Sequence, residues 1–200
     1  MPAELVSATA ADLNDLLAAG QLDLSVVSAV EYARDAAAYH LLPDLAISCD
    51  GPVHSVKLFS HRPVQELGGA TVLRTSSSRT SVLLLERLCR HRWLVTPRFA
   101  TVRAEPADLD GLSHLPHDAV LVIGDAALLL AASNSYPVQV DLGQAWQEWT
   151  ALPFVFAVWA ARRSANPESV REVYQRLLEP RAWGLAHLDL LADQAWATTG

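Results

Sequence analysis

Residues 71–93 of the chain read TVLRTSSSRTSVLLLERLCRHRW. The segment opens with a strand-like run at Thr71–Arg74, passes through hydroxyl-bearing residues at 75–81, and continues with a helical pattern over Val82–Trp93. In the helical part, apolar side chains recur every three or four residues. Basic residues gather in its last turns, where the helix dipole favours positive charge. A strand that leads through a polar turn into a helix is the repeating unit of α/β proteins.

The same alternation continues on both sides of this segment. Further strands are predicted at 22–27, 45–49, 54–59, 100–104, 119–123, 138–140 and 154–161. Further helices are predicted at 10–19, 28–39, 108–112, from 124 onward, and at 143–150, 167–178 and 182–196. Strands alternating with helices predict an α/β fold with mainly parallel sheets.

Two segments between these elements are predicted to be crossovers between lobes, namely 61–69 and the region of residue 137. They divide the chain into a discontinuous first lobe, 1–60 with 138–200, and an inserted second lobe, 70–136. Two lobes joined by two crossings enclose a cleft, and small ligands bind in clefts of this kind.

Composition and charge exclude several classes of protein. The 200 residues are 51% hydrophobic and 18% charged, which excludes intrinsic disorder. A formal net charge of −7 argues against a nucleic-acid partner. No apolar run reaches the roughly 18–20 residues of a membrane span, and the N-terminus lacks a signal-peptide pattern. These features predict a soluble cytoplasmic protein without a membrane or nucleic-acid partner. We expect a monomer or homodimer, although none of these features selects between the two.

Three common catalytic and metal-binding patterns are missing from the sequence. Neither the two cysteines nor the seven histidines have metal-ligand spacing, so no metal site is predicted. Cys89 lies in a Leu-rich helical run, which favours a buried thiol. There is no G-x-x-x-x-G-K-[ST] phosphate loop and no G-x-S-x-G nucleophile turn, so neither a nucleotide hydrolase nor a serine hydrolase of those types is indicated.

The turn at 75–81 is the strongest local signal of a site. A helix start offers backbone N–H groups, hydroxyls and the positive end of the helix dipole to an anion, and Arg79 adds charge. Ordinary capping by Ser77 or Ser78 explains the same residues equally well. If the turn binds an anion, the expected ligands are the hydroxyls of Ser76, Thr80 and Ser81.

Four other residues are candidates for the cleft. Asp125 begins a predicted helix, where capping is the favoured role and proton acceptance the alternative. Ser28 has the same ambiguity at the end of a strand. The hydroxyl of Ser55 faces either the cleft or the sheet interior. Trp149 lines a pocket for a ring or, with Trp146 three residues earlier, packs in the core.

Seven blocks carry a resemblance to a known family, and they occur in the family's order over most of the chain. They are 25–32 (SVVSAVEY), 42–48 (LPDLAIS), 51–59 (GPVHSVKLF), 75–81 (TSSSRTS), 123–128 (IGDAAL), 141–146 (DLGQAW) and 150–159 (TALPFVFAVW). Together they resemble the chorismate dehydratases of the futalosine menaquinone pathway, the MqnA family. In the last block Ala151 stands where that family usually has Gly.

The resemblance implies a two-lobed fold similar to type II periplasmic binding proteins, with a cleft between the lobes. It also implies a lyase that removes water from chorismate, giving 3-[(1-carboxyvinyl)oxy]benzoate, with a small-molecule substrate and no cofactor. We assign Asp125 and Ser55 as catalytic residues. The residues assigned to substrate binding are Ser28, Ser76, Thr80, Ser81 and Trp149.

The chain also departs from the family pattern. The family normally begins with a strand and an aromatic-rich loop carrying a substrate-facing Asn, and we expect this chain to start after that point and to stop before the family's last helices. One alternative is the sister enzyme, 1,4-dihydroxy-6-naphthoate synthase, whose catalytic His is expected in the inserted lobe, which contains His114 and His117. The other is a non-catalytic solute-binding module for a carboxylate.

Overall fold

The computed structural model describes residues 4–112 and 114–199, in which strands and helices alternate as the sequence pattern predicts. The strands are β1 (Leu24–Ser28), β2 (Tyr39–Cys49), β3 (Val56–Ser60), β4 (Thr71–Thr75), β5 (Arg98–Val102), β6 (Ala119–Ile123), β7 (Val138–Asp141) and β8 (Phe154–Arg162). The α-helices are α1 (Ala10–Ala18), α2 (Ala29–Arg34), α3 (Arg79–Arg87), α4 (Leu109–Leu112), α5 (Gly124–Ser133), α6 (Leu142–Thr150), α7 (Pro167–Ala186) and α8 (Leu188–Thr199). Short 3-10 turns lie at Ala36–Ala38, Val64–Glu66 and Pro106–Asp108, and α3 continues as a π-helix over Leu88–Arg92.

Within the described ranges no helix has the length and apolar character needed to cross a membrane.

Two separate sheets carry the α/β fold. One has the strand order β1-β8-β2, and the other has the order β5-β4-β6-β3-β7. The pairs in the three-stranded sheet are antiparallel, as are β3–β6 and β3–β7, whereas β4 runs parallel to β5 and β6. The prediction of mainly parallel sheets is therefore wrong. A parallel pair needs a helical crossover, which α3 supplies between β4 and β5. In the same sheet β3 is inserted between β6 and β7 and runs antiparallel to both.

The division of the chain into lobes differs from the predicted one in a specific way. Strands β3 and β7 were expected in the first lobe, but both lie in the five-stranded sheet, where β3 pairs with β6 from Val56↔Ile123 to Ser60↔Ala119. The chain consequently passes between the two sheets at 50–55 and 151–153, not at 61–69 and 137. Local apolar patterns identify a strand but not its neighbours, which explains the difference. The outermost residues assigned to the first lobe, 1–3 and 200, lie outside the described residues.

Helices cover the five-stranded sheet on both faces. Successive residues of a strand point to opposite faces, so neighbouring residues of one strand pack in different clusters. On β3, Leu58 packs in a cluster with residues of α3 and α6, whereas Phe59 packs with residues of α4 and α5. Cys89 lies in the first cluster, and its burial raises the pKa of the thiol to about 12. The predicted buried thiol is thus confirmed. A smaller cluster that includes Leu17 of α1 and Val27 of β1 lies against the three-stranded sheet.

Ala151 ends α6 in a left-handed conformation, with φ 57° and its N–H donating to the carbonyl of Gln147. An alanine pays a steric cost there that glycine avoids. We expect Ala151→Gly to raise the free energy of unfolding by about 1 kcal/mol, measured by urea denaturation. Ala132→Gly, inside the right-handed helix α5, is the control and should lower it by a similar amount. A loss of stability in Ala151→Gly would contradict this explanation.

Candidate active site

Three of the predicted residues meet at one edge of the five-stranded sheet. The parallel strands β4 and β6 end at this edge and lead into Ser76 and Asp125, and the antiparallel strand β3 begins there, directly after Ser55. The N–H of Gly124 donates to the carbonyl of Ser55 at 2.7 Å. Ser76, Gly124 and Ser55 therefore lie in a row across three neighbouring strands, about 10 Å from end to end. Ligands of open α/β sheets bind at such carboxyl ends.

A groove of about 380 Å³ lies between α2 and the end of β4. It is formed by both lobes, because α2 follows the first sheet and α3 follows a strand of the second. Asp125, Ser55 and Ser28 are not among its lining residues, so the first two stand beside the groove along the same sheet edge. The lining residues are Val30, Arg34, Arg74, Thr75, Ser76, Ser78, Arg79, Val82, Leu83, Glu86 and Thr101.

The hydroxyls of the 75–81 turn have divided roles. Ser78 is the N-cap residue of α3: its Oγ accepts from the N–H of Ser81 at 3.2 Å and donates to the Ser81 hydroxyl at 2.9 Å. The capping alternative is thereby confirmed for Ser78. The Thr80 hydroxyl is buried and accepts from the N–H of Val30 in α2 at 3.3 Å. Ser76, by contrast, is exposed in the groove, and among the described residues nothing hydrogen-bonds its hydroxyl.

α3 begins at Arg79, three residues before the predicted start at Val82. Polar side chains occupy its first turn, so the apolar period from which the start was predicted only appears later. The free N–H groups at the start of α3 therefore lie three residues nearer to the end of β4 than a helix beginning at Val82 would place them. Helix starts leave such N–H groups without intrahelical partners.

Three guanidinium groups line the groove, and each has a different environment. Arg79 donates to Asp15 of α1 at 2.5 Å and to Glu31 of α2 at 2.6 Å. The hydrogen bond to Asp15, and then that to Glu31, raise the pKa of Arg79 above its ordinary value. Arg79 therefore bridges the two lobes, whereas the sequence suggested only that it adds charge.

The other two guanidiniums differ in how firmly they are held. Arg74 pairs with Glu86 and lies 5.5 Å from the centre of the Phe99 ring. The Arg34 side chain is 65% exposed, compared with 30% for Arg74, and contacts Glu31 only at 3.5 Å. Arg34 thus presents the most accessible positive charge in the groove. Nothing in the sequence pattern of the short helix α2 singled it out.

Four of the five predicted substrate ligands do not line the groove: Thr80 and Ser81, which are buried beside it, and Ser28 and Trp149. Ser28 is buried at the end of β1, where its N–H donates to Asn14 Oδ1 at 2.9 Å and its Oγ accepts from Asn14 Nδ2 at 3.1 Å. Trp149 stacks on His91 in the π-helix that continues α3, with the rings 7° apart in angle. His91 is separated from Ser81 by about 15 Å of helix. Trp149 therefore lies at the far end of α3.

Asp125 is not the helix cap that was the favoured prediction. The N-cap residue of α5 is Ile123, which makes no side-chain capping bond, and Asp125 lies in the first helical turn. Its side chain is exposed at the sheet edge. Gly124 opens the helix with φ 65°, a conformation that glycine adopts without strain. A carboxylate that is not used for capping remains available as a proton acceptor. Across residues 4–112 and 114–199, no three His, Cys, Asp or Glu side chains are grouped to hold a metal ion.

The chain is similar to solved structures, among them periplasmic binding proteins. The crystal structure of a protein from Archaeoglobus fulgidus superposes on this chain with a TM-score of 0.72 and 20% sequence identity. The match covers 96% of this chain and 69% of the Archaeoglobus chain. The periplasmic aliphatic sulphonate binding protein of Escherichia coli matches 94% of this chain, with TM-score 0.62 and 18% identity. This chain spans 64% of that protein. At these identities the likeness concerns the fold, which is the predicted type II periplasmic-binding-protein-like fold.

The family follows from sequence similarity. A sequence profile described as menaquinone biosynthesis matches residues 1–200. A Thermus thermophilus protein named chorismate dehydratase is 35% identical over an alignment 204 positions long, which includes 94% of this chain and 72% of that protein. The resemblance predicted from the seven sequence blocks is confirmed, and the chain belongs to the menaquinone biosynthesis family.

Proposed function

We propose that this chain is a chorismate dehydratase, which removes water from chorismate to give 3-[(1-carboxyvinyl)oxy]benzoate. The observation that carries the proposal is the groove between α2 and β4, where three guanidiniums and several hydroxyls surround about 380 Å³. Chorismate is a small dianion with a carboxylate on its ring and another on its enolpyruvyl group. Guanidinium groups and a helix start are the donors that bind carboxylates. The 35% identical relative named for this reaction supports the same conclusion.

The chemistry requires little beyond binding and proton transfer. A ring carbon of chorismate loses a proton, the neighbouring carbon loses hydroxide, and the two leave as water. The electron pair of the broken C–H bond becomes part of an aromatic ring, which supplies the driving force. The protein's tasks are to hold both carboxylates, to accept the proton and to assist the departure of hydroxide.

We assign these tasks to residues of the groove and of the neighbouring sheet edge. Ser76 and Arg34, the most accessible donors in the groove, hold a substrate carboxylate. Asp125 accepts the ring proton. Ser55 donates a hydrogen bond to the departing hydroxyl, since its Oγ has only a 3.5 Å contact to the carbonyl of Val53. Thr80 does not contact the substrate but holds α2 in place through its hydrogen bond from the N–H of Val30.

The sister-enzyme alternative requires a histidine at the groove. His117 lies just before the start of β6, at the opposite edge of the sheet from Asp125. Its two ring nitrogens contact the Tyr136 hydroxyl and the carbonyl of Leu115, each at 2.7 Å. His114 lies in the exposed loop before His117. Neither histidine is placed to act on a ligand in the groove.

Incubation of chorismate with the purified chain, followed by chromatography, tests the proposal. We expect an aromatic enolpyruvyl product whose rate of formation is unchanged by a chelator. Calorimetric binding of chorismate without turnover would instead identify a solute-binding module. Loss of activity in the chelator would refute the cofactor-free mechanism.

Substitutions in the 75–81 turn separate substrate binding from capping. We expect Ser76→Ala to weaken chorismate binding about tenfold with an unchanged melting temperature, because one hydrogen bond to a carboxylate is lost. Ser81→Ala should instead lower the free energy of unfolding by about 1 kcal/mol with unchanged affinity, because its hydroxyl serves the cap. Isothermal titration and urea denaturation measure the two quantities. Unchanged affinity in Ser76→Ala would exclude this serine as a ligand.

A further inference from the structure

Asp141, the last residue of β7, binds three backbone N–H groups with one carboxylate. Its Oδ1 accepts from Val53 at 3.0 Å and from Gln144 at 3.1 Å, and its Oδ2 accepts from His54 at 2.6 Å. The bond to Gln144 caps α6. The bonds to Val53 and His54 reach the first of the two connections between the sheets, residues 50–55. A single side chain thus joins α6 to that connection.

The connection is held in an unfavourable backbone conformation. His54 has φ 64°, in the left-handed region that non-glycine residues avoid. The N–H of Ser55 donates to the carbonyl of Val53 at 2.8 Å, which closes a three-residue turn around His54. Such turns are rare and persist only where surrounding contacts hold them. The two bonds from Asp141 are contacts of this kind.

α6 packs closely on the same connection. A Cβ atom at Gly143 would lie 2.6 Å from Cys49 Sγ and 2.7 Å from the carbonyl oxygen of Gly51, so only glycine permits this approach. Gln147 Nε2 also donates to Asp50 Oδ1 at 2.7 Å. These contacts give a physical reason for the DLG sequence at 141–143. The aspartate binds the turn, and the glycine has no Cβ atom to block the close approach of α6 to the connection.

The turn leads directly to the candidate active site. Ser55 follows His54, and its carbonyl accepts the N–H of Gly124 at 2.7 Å, next to Asp125. We propose that Asp141 is a positioning residue for the dehydration: by holding the turn at His54 it sets Ser55 and, through Gly124, the start of α5. The effect on catalysis rests on the proposed function, whereas the holding of the turn by Asp141 does not.

Asp141→Asn is a selective test, because asparagine is as good an N-cap residue as aspartate. The asparagine amide oxygen still accepts from the N–H groups of Gln144 and Val53. Its NH₂ group faces the N–H of His54, and because both groups are donors that hydrogen bond is lost. We expect kcat for chorismate to fall about tenfold with KM within about twofold, since misplaced groups slow a bound substrate. Hydrogen exchange of the His54 amide should become faster.

A second substitution checks that the effect passes through the turn. Glycine adopts positive φ freely, so His54→Gly in the Asp141→Asn background should restore kcat to within about threefold of the wild type. Asn166→Ala is the matched control: it removes the N-cap bonds of α7, to Glu168 and Ser169, and should lower the melting temperature with kcat unchanged.

Two results would overturn the inference. One is an unchanged kcat in Asp141→Asn; the other is a double variant that folds but stays as slow as Asp141→Asn. If the wild-type chain did not convert chorismate, the proposed function would fail. The exchange rate of the His54 amide would then decide the remaining question, because unchanged exchange in Asp141→Asn refutes the holding of the turn and faster exchange supports it.

Discussion

Replacing Asp125 with asparagine is expected to lower kcat for chorismate dehydration by a factor of about 10²–10⁴, the usual contribution of a positioned general base. Asparagine has nearly the same shape but cannot accept a proton from carbon. Asp125 is exposed and does not cap α5. It follows Gly124, which lies between Ser76 and Ser55 in the row across three neighbouring strands. Steady-state kinetics should therefore show a large fall in kcat with a small change in KM.

Glu168→Gln is the matched control for this substitution. Glu168 is also an exposed acidic residue in the first turn of a helix, α7, far from the groove along the chain. Both substitutions remove one negative charge near a helix N-terminus, which costs about 0.3–1 kcal/mol of stability. Glu168→Gln should leave kcat unchanged. If Asp125→Asn retained activity within about twofold, another group, such as a carboxylate of the substrate, would have to be the base.

Replacing Arg79 with glutamine is expected to lower the free energy of unfolding by about 2–3 kcal/mol. Arg79 joins α3 to both Asp15 and Glu31, and the Glu31 side chain is only 14% exposed. Removing the guanidinium leaves a poorly solvated carboxylate with only the long Arg34 contact. Because the bond to Asp15 lies in solvent, salt should weaken that part of the stabilisation. Urea denaturation at two salt concentrations measures both effects.

The same substitution should also weaken chorismate binding about tenfold. Arg79 and the Val30–Thr80 hydrogen bond hold α2 against α3, and together these helices form the groove. Arg176→Gln is the control, because Arg176 pairs with Glu172 on the exposed surface of α7. A surface pair of this kind contributes at most about 0.5 kcal/mol. Equal losses of stability in the two variants would show that Arg79 does not bridge the lobes in solution.

Several features of this protein could be predicted because they depend on neighbouring residues. The change from strand to helix at 71–93 is visible in the spacing of apolar side chains, and so is the helix that Gly124 opens. The capping of α3 by Ser78 was one of two predicted alternatives, since a cap and its N–H partner lie three residues apart. Cys89 could be predicted as buried from the apolar residues around it.

Other features depend on residues far apart in the chain. The hydroxyls at 75–81 look alike in sequence, but Thr80 contacts Val30 in the other lobe and Ser76 remains in the groove. The partners of Asp141 in the connection, Val53 and His54, lie 88 and 87 residues away. Asp141 is the first residue of the family block at 141–146, and an acidic residue before a helix is a recognisable signal of a cap. That local signal carries no information about the partners of Asp141 in the connection.

The sequence by itself determined the order of strands and helices, the polar turn after β4 and, through its blocks, the family. Only the tertiary structure decided that β3 and β7 belong to the second sheet, that most strand pairs are antiparallel, and that Arg79 bridges the lobes. The physical reason is the range of the interactions. Capping and amphipathic periodicity act within a few residues, whereas strand partners and ion pairs are selected by the packing of the whole chain.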